Sequence, residues 1–124
     1  MMATHERRSA ERSGRVWECA AALYFICLGY RLLGWRVKTP LGEIDLIVRR
    51  GRSTVFVEVK AHRSWIDGAN AVSRRKAERI VAAAHCWMGG RPARTDEDYR
   101  FDILLMSAYH WPKHLPNAFG LELW

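Results

Sequence analysis

The stretch Gly42–Lys60, GEIDLIVRRGRSTVFVEVK, constrains the fold of this chain more than any other segment. Its branched and aromatic apolar residues predict two antiparallel strands, about Glu43–Arg49 and Thr54–Ala61, joined through Arg50-Gly51-Arg52-Ser53, where a tight turn would centre on Gly51-Arg52. Charged residues interrupt both strands at Glu43, Asp45, Glu58 and Lys60. Because a buried charge is costly unless it is paired or bound to a metal ion, these side chains are expected to have a function.

Side chains alternate between the two faces of a strand, so this hairpin has two different faces. One face carries Glu43, Asp45, Ile47, Phe56, Glu58 and Lys60, and the other carries the apolar residues Ile44, Leu46, Val48, Val55, Val57 and Val59. A tight turn places Asp45 opposite Glu58 and Glu43 opposite Lys60, and a slip of two residues leaves all four on the same face. Directly opposed carboxylates repel, so the pair Asp45 and Glu58 predicts a cation between them.

Carboxylate and carbonyl oxygens are the ligands that Mg²⁺ and Mn²⁺ prefer. Asp45, Glu58 and the carbonyl of Val59 are therefore candidate ligands, and Lys60 lies beside them on the same face. Such a group suits hydrolysis of a phosphodiester, with Asp45, Glu58 and Lys60 as catalytic residues. The alternative is a solvated face of paired charges. Ile47 and Phe56 weigh against that alternative, because they extend the same face with apolar side chains that a helix would cover.

The remaining elements complete a small α/β domain. Residues 1–12 are charged and predict a flexible basic arm, and residues 13–124 predict a single domain. Before the hairpin, the periodicity predicts a helix over Gly14–Leu28 and a strand over Tyr30–Lys38 with a bulge at Gly34. After the hairpin, it predicts a helix from the N-cap Ser73 to Met88 and a strand over Tyr99–Ser107, followed by an irregular tail with room for a short last strand. The expected fold is a mixed β-sheet flanked by helices in the order αβββαβ.

The charge balance indicates a polyanionic partner. The chain has 20 Lys and Arg against 13 Asp and Glu, a net charge of +7, and nucleic acid is the commonest partner of such a protein, although a membrane surface or simple solubility would also explain it. Three cysteines without a C-x-x-C spacing predict reduced thiols and a cytoplasmic protein. The apolar run Cys19–Gly29 is too short to span a bilayer, so no membrane partner is expected.

Several other residues are candidates for binding. A cluster of cations with an indole follows the second strand of the hairpin and suits phosphate contacts and base stacking: Arg63, Trp65, Arg74, Arg75 and Lys76. The alternative is again a solvated charged face. Asp102 alternates with Arg100 and predicts a structural ion pair. His110 and His114 have helical spacing, but Pro112 between them argues against a helical zinc pair.

The segments GEIDLIV and VFVEVKAHR resemble the PD-(D/E)xK nuclease superfamily. Most of the chain is similar to the bacterial YraN family of predicted endonucleases, which are related to archaeal Holliday-junction resolvases. Besides those two segments, the similarity covers GRVWECAAALYFICLGYRLL, VSRRKAERIVAAAHCWM, YRFDILLM and HLPNAF. The resemblance implies a restriction-endonuclease-like fold and a homodimer. It also implies that Asp45 and Glu58 bind metal, that Lys60 is catalytic, and that Glu18 reaches the site from the first helix. Without the resemblance, Glu18 at the start of a helix would simply favour the helix dipole.

These observations predict a Mg²⁺- or Mn²⁺-dependent endonuclease that hydrolyses phosphodiester bonds in DNA, in particular branched or structured DNA. The alternative is a nucleic-acid-binding module of the same fold without catalytic turnover. A third hypothesis is a basic scaffold that docks onto another protein through exposed tryptophans.

Overall fold

Two helices flank a five-stranded mixed sheet in the computed structural model, which describes residues 4–61, 73–91 and 97–120, with side chains from Arg15 onward. The elements are α1 (Thr4–Cys27), β1 (Arg31–Thr39), β2 (Gly42–Arg50), β3 (Ser53–Ala61), α2 (Arg74–Gly89), β4 (Asp98–Met106) and β5 (Lys113–Phe119). The order αβββαββ confirms the predicted α/β class and mixed sheet. It differs from the expected order by the last strand, β5, which forms in the tail.

The strands lie in the order β1-β2-β3-β4-β5, and β3 and β4 are the parallel pair among antiparallel neighbours. Parallel neighbours need a long crossover, and the chain between β3 and β4 contains α2. The carboxyl end of β3 and the start of α2 therefore belong to one crossover, which brings Lys76 of α2 to Glu58 of β3.

The hairpin of β2 and β3 has the predicted register. Its turn is the two-residue link Gly51-Arg52, and Gly51 has a φ of +63°, a conformation that a glycine adopts without steric cost. The pairs run from Arg50↔Ser53 at the turn to Leu46↔Val57. The residues that follow this last pair, on the side away from the turn, are Asp45 and Glu58, which the tight turn was predicted to place opposite each other.

The core has one apolar cluster on each face of the sheet. Val55 and Val57 of β3 pack with Phe25 of α1 in one cluster, whereas Phe56 packs with Ile80 of α2 in the other. Alternation along β3 therefore separates the contacts of the two helices, which cover opposite faces. Glu58 shares the parity of Phe56, and Lys76 of α2 reaches it on that face.

One residue of the hairpin lies in a different cluster from the one expected. Ile44 was expected beside Leu46 and Val48, but it packs with Ile47 and α2. The β2–β3 ladder ends at Leu46, so the first part of β2 is paired with β1. There Gly42 also approaches α2 closely, since a Cβ on it would lie 3.0 Å from the carbonyl oxygen of Arg79.

Helix α1 begins ten residues before the expected start at Gly14, inside the predicted arm. A charged segment with good helix-forming residues extends a helix whose later turns are packed on the sheet. The mobility of residues 1–12 stays a prediction. Because α1 begins at Thr4, Glu18 lies well inside the helix, and the expectation that it favours the dipole from the first turn is wrong.

Two local features were predicted correctly. The side chain of Ser73 accepts a hydrogen bond from the Lys76 amide and caps α2. The register of β1 against β2 shifts between Leu32 and Gly34, which is the expected bulge.

The predicted pair of Arg100 and Asp102 is part of a buried network. Asp102 is fully buried, and its carboxylate accepts hydrogen bonds from Arg100 (2.8 and 2.9 Å) and from the Asn117 amide (2.9 Å). His114 Nε2 lies 2.5 Å from its second oxygen. Burial by itself would raise the pKa of Asp102, but the contacts with His114, Arg100 and Asn117 hold that pKa below its ordinary value. The network fastens β5 to β4.

The cysteines Cys19, Cys27 and Cys86 are free thiols, as expected. Among the described residues, no helix has the length and apolar character needed to cross a bilayer.

Candidate metal centre and its cleft

The paired part of β2 and β3 ends where the candidate metal centre begins. Asp45 Oδ2 accepts a hydrogen bond of 2.9 Å from the amide of Val59, the residue after Glu58. The Asp45 side chain of β2 thus accepts the Val59 amide hydrogen bond of β3, which a main-chain carbonyl of β2 would accept in a continuous ladder. This contact holds the carboxyl group of Asp45 against β3, beside Glu58.

The two carboxyl groups strongly affect each other. Burial, followed by the negative charge of Glu58, raises the pKa of Asp45 from 3.8 to about 7, against the opposing effect of the Val59 hydrogen bond. A hydrogen bond with Glu58 and the charge of Glu18 act in the same direction. Near neutral pH the site therefore holds two acidic groups that cannot both ionise without cost, which is the electrostatic condition for binding either a proton or a cation.

Lysines approach Glu58 from two elements. Glu58 is 3% exposed, and its Oε1 lies 3.4 Å from Lys60 Nζ and 3.7 Å from Lys76 Nζ. Lys60 follows Glu58 on the same face of β3, as predicted, whereas Lys76 reaches it from the first turn of α2. The site thus combines two carboxyl groups with two ammonium groups at the end of a sheet.

The donors suit a hard divalent cation. Asp45 and Glu58 offer carboxylate oxygens side by side, and Mg²⁺ in proteins is commonly bound by one or two carboxylates with water completing the shell. Within the part of the chain that the structure describes, no group of three or more His, Cys, Asp or Glu residues could hold an ion. An ion here would depend on two carboxylates and water, and the carbonyl of Val59 as a further ligand stays a prediction.

Glu18 is placed at the same end of the sheet and is bound to β1. Its Oε2 accepts hydrogen bonds from Trp35 Nε1 (2.9 Å) and Arg36 Nε (2.6 Å), and its Oε1 accepts one from Arg36 Nη2 (3.3 Å). The expectation that Glu18 reaches the region of Asp45 agrees with its effect on the pKa of Asp45. Its role as a metal ligand stays a prediction.

A cleft of about 340 Å³ lies beside Asp45 on the β1 side. Carboxylates and cations line it together: Arg15, Glu18, Arg36, Lys38, Glu43 and Asp45. Arg15, Arg36 and Lys38 were not predicted as functional residues. Their signal in the sequence was weak, because cations on a helix and an edge strand ordinarily face solvent.

The predicted nucleic-acid contacts have different positions. Arg74 and Arg75 are exposed on the first turn of α2, and Arg74 pairs with Glu78 at 3.1 Å. Lys76 points to the candidate metal centre instead. Arg63 and Trp65 lie outside the described residues.

Fold and site together define the class of this protein: an α/β domain whose sheet opens at one end onto an acidic pair with lysines beside it. The chain belongs to the uncharacterised protein family UPF0102, which residues 17–106 match. This confirms the family resemblance, since UPF0102 is the YraN family, whereas the wider nuclease superfamily stays a prediction.

Bacterial relatives carry the family name. The chain is 44% identical over 117 residues to a UPF0102 protein of Rhodopseudomonas palustris strain BisB18, covering 94% of this chain and 87% of the relative. A UPF0102 protein of Nitrobacter winogradskyi is 43% identical over 113 residues, covering 91% of this chain and 96% of the relative. The UPF0102 protein bll0669 of Bradyrhizobium diazoefficiens is 42% identical over 118 residues, covering 95% and 89%.

Proposed function

We propose that this protein is a metal-dependent endonuclease that hydrolyses phosphodiester bonds in DNA, with branched or structured DNA as its substrate. The observation that carries the proposal is the pair Asp45 and Glu58, held together where β2 and β3 separate, with Lys60 Nζ 3.4 Å from Glu58. The net charge of +7 supports a polyanionic substrate.

Each residue of the pair has a defined part in this reaction. Asp45 and Glu58 would hold a Mg²⁺ or Mn²⁺ ion, with the carbonyl of Val59 as a further ligand. When bound, such an ion supplies Lewis-acid activation of the phosphodiester and of water. The ammonium group of Lys60 lies beside the acids, where it would orient the attacking water and stabilise the negative charge that develops on the phosphate. Glu58 holds that ammonium group in place.

A second candidate is a nucleic-acid-binding module without turnover. The observation that favours it is that Glu58 already has two cationic neighbours, Lys60 and Lys76. The two ammonium groups balance the charge of Glu58 without any ion, so the same cluster can be a structural charge network on a DNA-binding surface.

Cleavage assays separate the two candidates. Labelled single-stranded, duplex, flap and four-way-junction DNA are incubated with the protein in Mg²⁺, Mn²⁺ or EDTA. We expect metal-dependent cutting that Asp45→Asn and Lys60→Ala abolish. The matched control is Arg52→Ala, which removes a cation at the turn, the opposite end of the hairpin, and keeps cutting.

Binding that weakens with salt, without cutting in either metal, would support the module instead. Absence of any DNA binding would leave the scaffold hypothesis.

The homodimer is proposed from the family resemblance alone, and light scattering of the purified protein measures its oligomeric state. A cytoplasmic location likewise stays a prediction.

A further inference from the structure

The carboxylate of Glu18 is occupied by donors from β1. Both of its oxygens accept hydrogen bonds, and Arg36 contributes two of the three donors, at 2.6 and 3.3 Å. The side chain of Glu18 is 13% exposed and that of Arg36 is 39% exposed. A bidentate pair with arginine neutralises a carboxylate and fixes its orientation, so an ion could bind Glu18 only by displacing Arg36.

The backbone of β1 is distorted to make this pair. Arg36 has a φ of +52°, in the left-handed region that costs a residue with a side chain about 1 kcal/mol or more. Neighbouring residues of a regular strand point to opposite faces. Trp35 and Arg36 nevertheless both donate to Glu18. The distortion therefore turns the guanidinium of Arg36 toward α1 and toward the cleft.

Within the part of the chain that the structure describes, Arg36 has donors left for a ligand. A guanidinium carries five N–H donors, and Glu18 receives bonds from the Nε and Nη2 atoms alone. The Glu18 hydrogen bond raises the pKa of Arg36, and the charges of Asp45 and Glu43 add to this effect. Arg36 therefore lies within electrostatic reach of Asp45. It lines the same cleft as Arg15 and Lys38, so three cations stand beside the carboxylates Glu18, Glu43 and Asp45 there.

We propose that Arg36 binds a phosphate group of the nucleic-acid strand next to the candidate metal centre, and that Glu18 is the positioning residue that holds Arg36 there instead of binding the ion. The inference rests on the proposed function for the identity of the strand. Arg15 and Lys38 line the same cleft, where they would extend the phosphate site.

The experiment measures ion binding and DNA binding separately. Mn²⁺ binding to the intact protein is followed by the electron paramagnetic resonance signal of the free ion. Binding of a fluorescein-labelled flap DNA is followed by anisotropy in Ca²⁺, without any need for turnover. The variants are Glu18→Gln, Arg36→Gln, the two combined, and Arg36→Lys, with Asp45→Asn as the reference for ion binding and Arg52→Gln as the matched charge control.

We expect Glu18→Gln and Arg36→Gln each to weaken DNA binding about tenfold, as for the loss of a charge-assisted contact, while Mn²⁺ affinity changes less than about twofold. The double variant should bind DNA no worse than Arg36→Gln, because Glu18 acts through Arg36. Arg36→Lys should recover part of the affinity, and Arg52→Gln should retain nearly all of it.

A Glu18→Gln variant that loses Mn²⁺ binding as severely as Asp45→Asn would overturn the inference. Unchanged DNA binding by Arg36→Gln would also overturn it. Failure of the proposed function has a different signature, namely wild-type protein that binds no Mn²⁺.

Discussion

Asp45 combines two properties that a surface carboxylate does not have together. It accepts the amide hydrogen bond of Val59, and its pKa is raised to about 7 by burial and by Glu58. A carboxyl group that is protonated in the folded state and ionised in the unfolded state favours folding at low pH. Its contribution is complete below the unfolded pKa near 4 and is lost as the pH rises through about 7.

The Asp45→Asn variant tests this linkage. Asparagine resembles the protonated carboxyl group and does not ionise. Because the pKa of Asp45 rises from 3.8 to about 7 and each tenfold change in protonation corresponds to about 1.4 kcal/mol, we expect the variant to exceed wild type in stability by roughly 4 kcal/mol at pH 8. The difference should shrink to nearly zero at pH 4. Thermal unfolding from pH 4 to pH 9, in EDTA, measures it. Glu43→Gln is the control, since it removes an exposed carboxylate of the same strand, and an equal gain there would contradict the explanation.

Single residues were predictable where their partners are local. The cap Ser73 and the Lys76 amide that donates to it lie three residues apart, and Arg100 and Asp102 lie two residues apart on one strand. His114 was outside any such pattern, because β5 brings it to Asp102 across a strand pair. The contact of Glu18 with Arg36 spans 18 residues, and no periodicity in the sequence encodes it.

At the scale of elements, the position of α2 depends on Gly42. A Cβ at Gly42 would lie 3.0 Å from the carbonyl oxygen of Arg79 and 3.6 Å from the Cβ of Ala83. The same helix carries Lys76, whose Nζ lies 3.7 Å from Glu58. A glycine on β2 therefore permits the distance between sheet and helix that brings Lys76 to the acidic pair.

Gly42→Ala should push α2 outward. We expect a loss of stability of about 1–3 kcal/mol, because the added methyl group meets backbone and because Gly42 has a φ of +155°, which residues with a side chain rarely adopt. Urea unfolding measures the loss. Gly89→Ala is the matched control, since a Cβ at Gly89 meets nothing within 4 Å at the end of the same helix and should be neutral or slightly stabilising. Equal stability of the two variants would refute the close approach.

The hairpin was the most predictable element because a two-residue turn fixes the register of the strands that follow it. The same reasoning failed for Ile44, where pairing with β3 has ended and β1 and α2 govern the packing. The sequence of the last strand, β5, contains Pro116 and shows little alternation of apolar and polar residues, so the tail was expected to be irregular with room for a short strand. Pairing with β4 makes this segment a strand.

For the whole molecule, cations are found at both ends of the hairpin. Arg52 is exposed at the turn, whereas Arg75 is exposed on α2 at the end that holds the acidic pair. The net charge of +7 predicted a polyanionic partner, but the charge alone does not tell which end binds it. Only the fold separates the two groups of cations.

The salt dependence of DNA binding tests this separation. If the site end binds the backbone, Arg75→Ala should reduce the slope of log K against log salt by about 0.7–0.9, the value for one phosphate contact. Arg52→Ala should leave the slope unchanged. Fluorescence anisotropy from 50 to 300 mM salt, roughly the range over which such contacts are screened, gives both slopes. A greater effect of Arg52→Ala would move the binding surface to the turn.

The contact between Asp45 and the Val59 amide has a practical consequence. An amide proton donated to a titrating carboxyl group changes its electronic surroundings whenever that group gains a proton or a cation. The nuclear magnetic resonance frequency of this single proton is therefore an internal reporter, able to follow occupancy in the intact chain before any substrate has been identified.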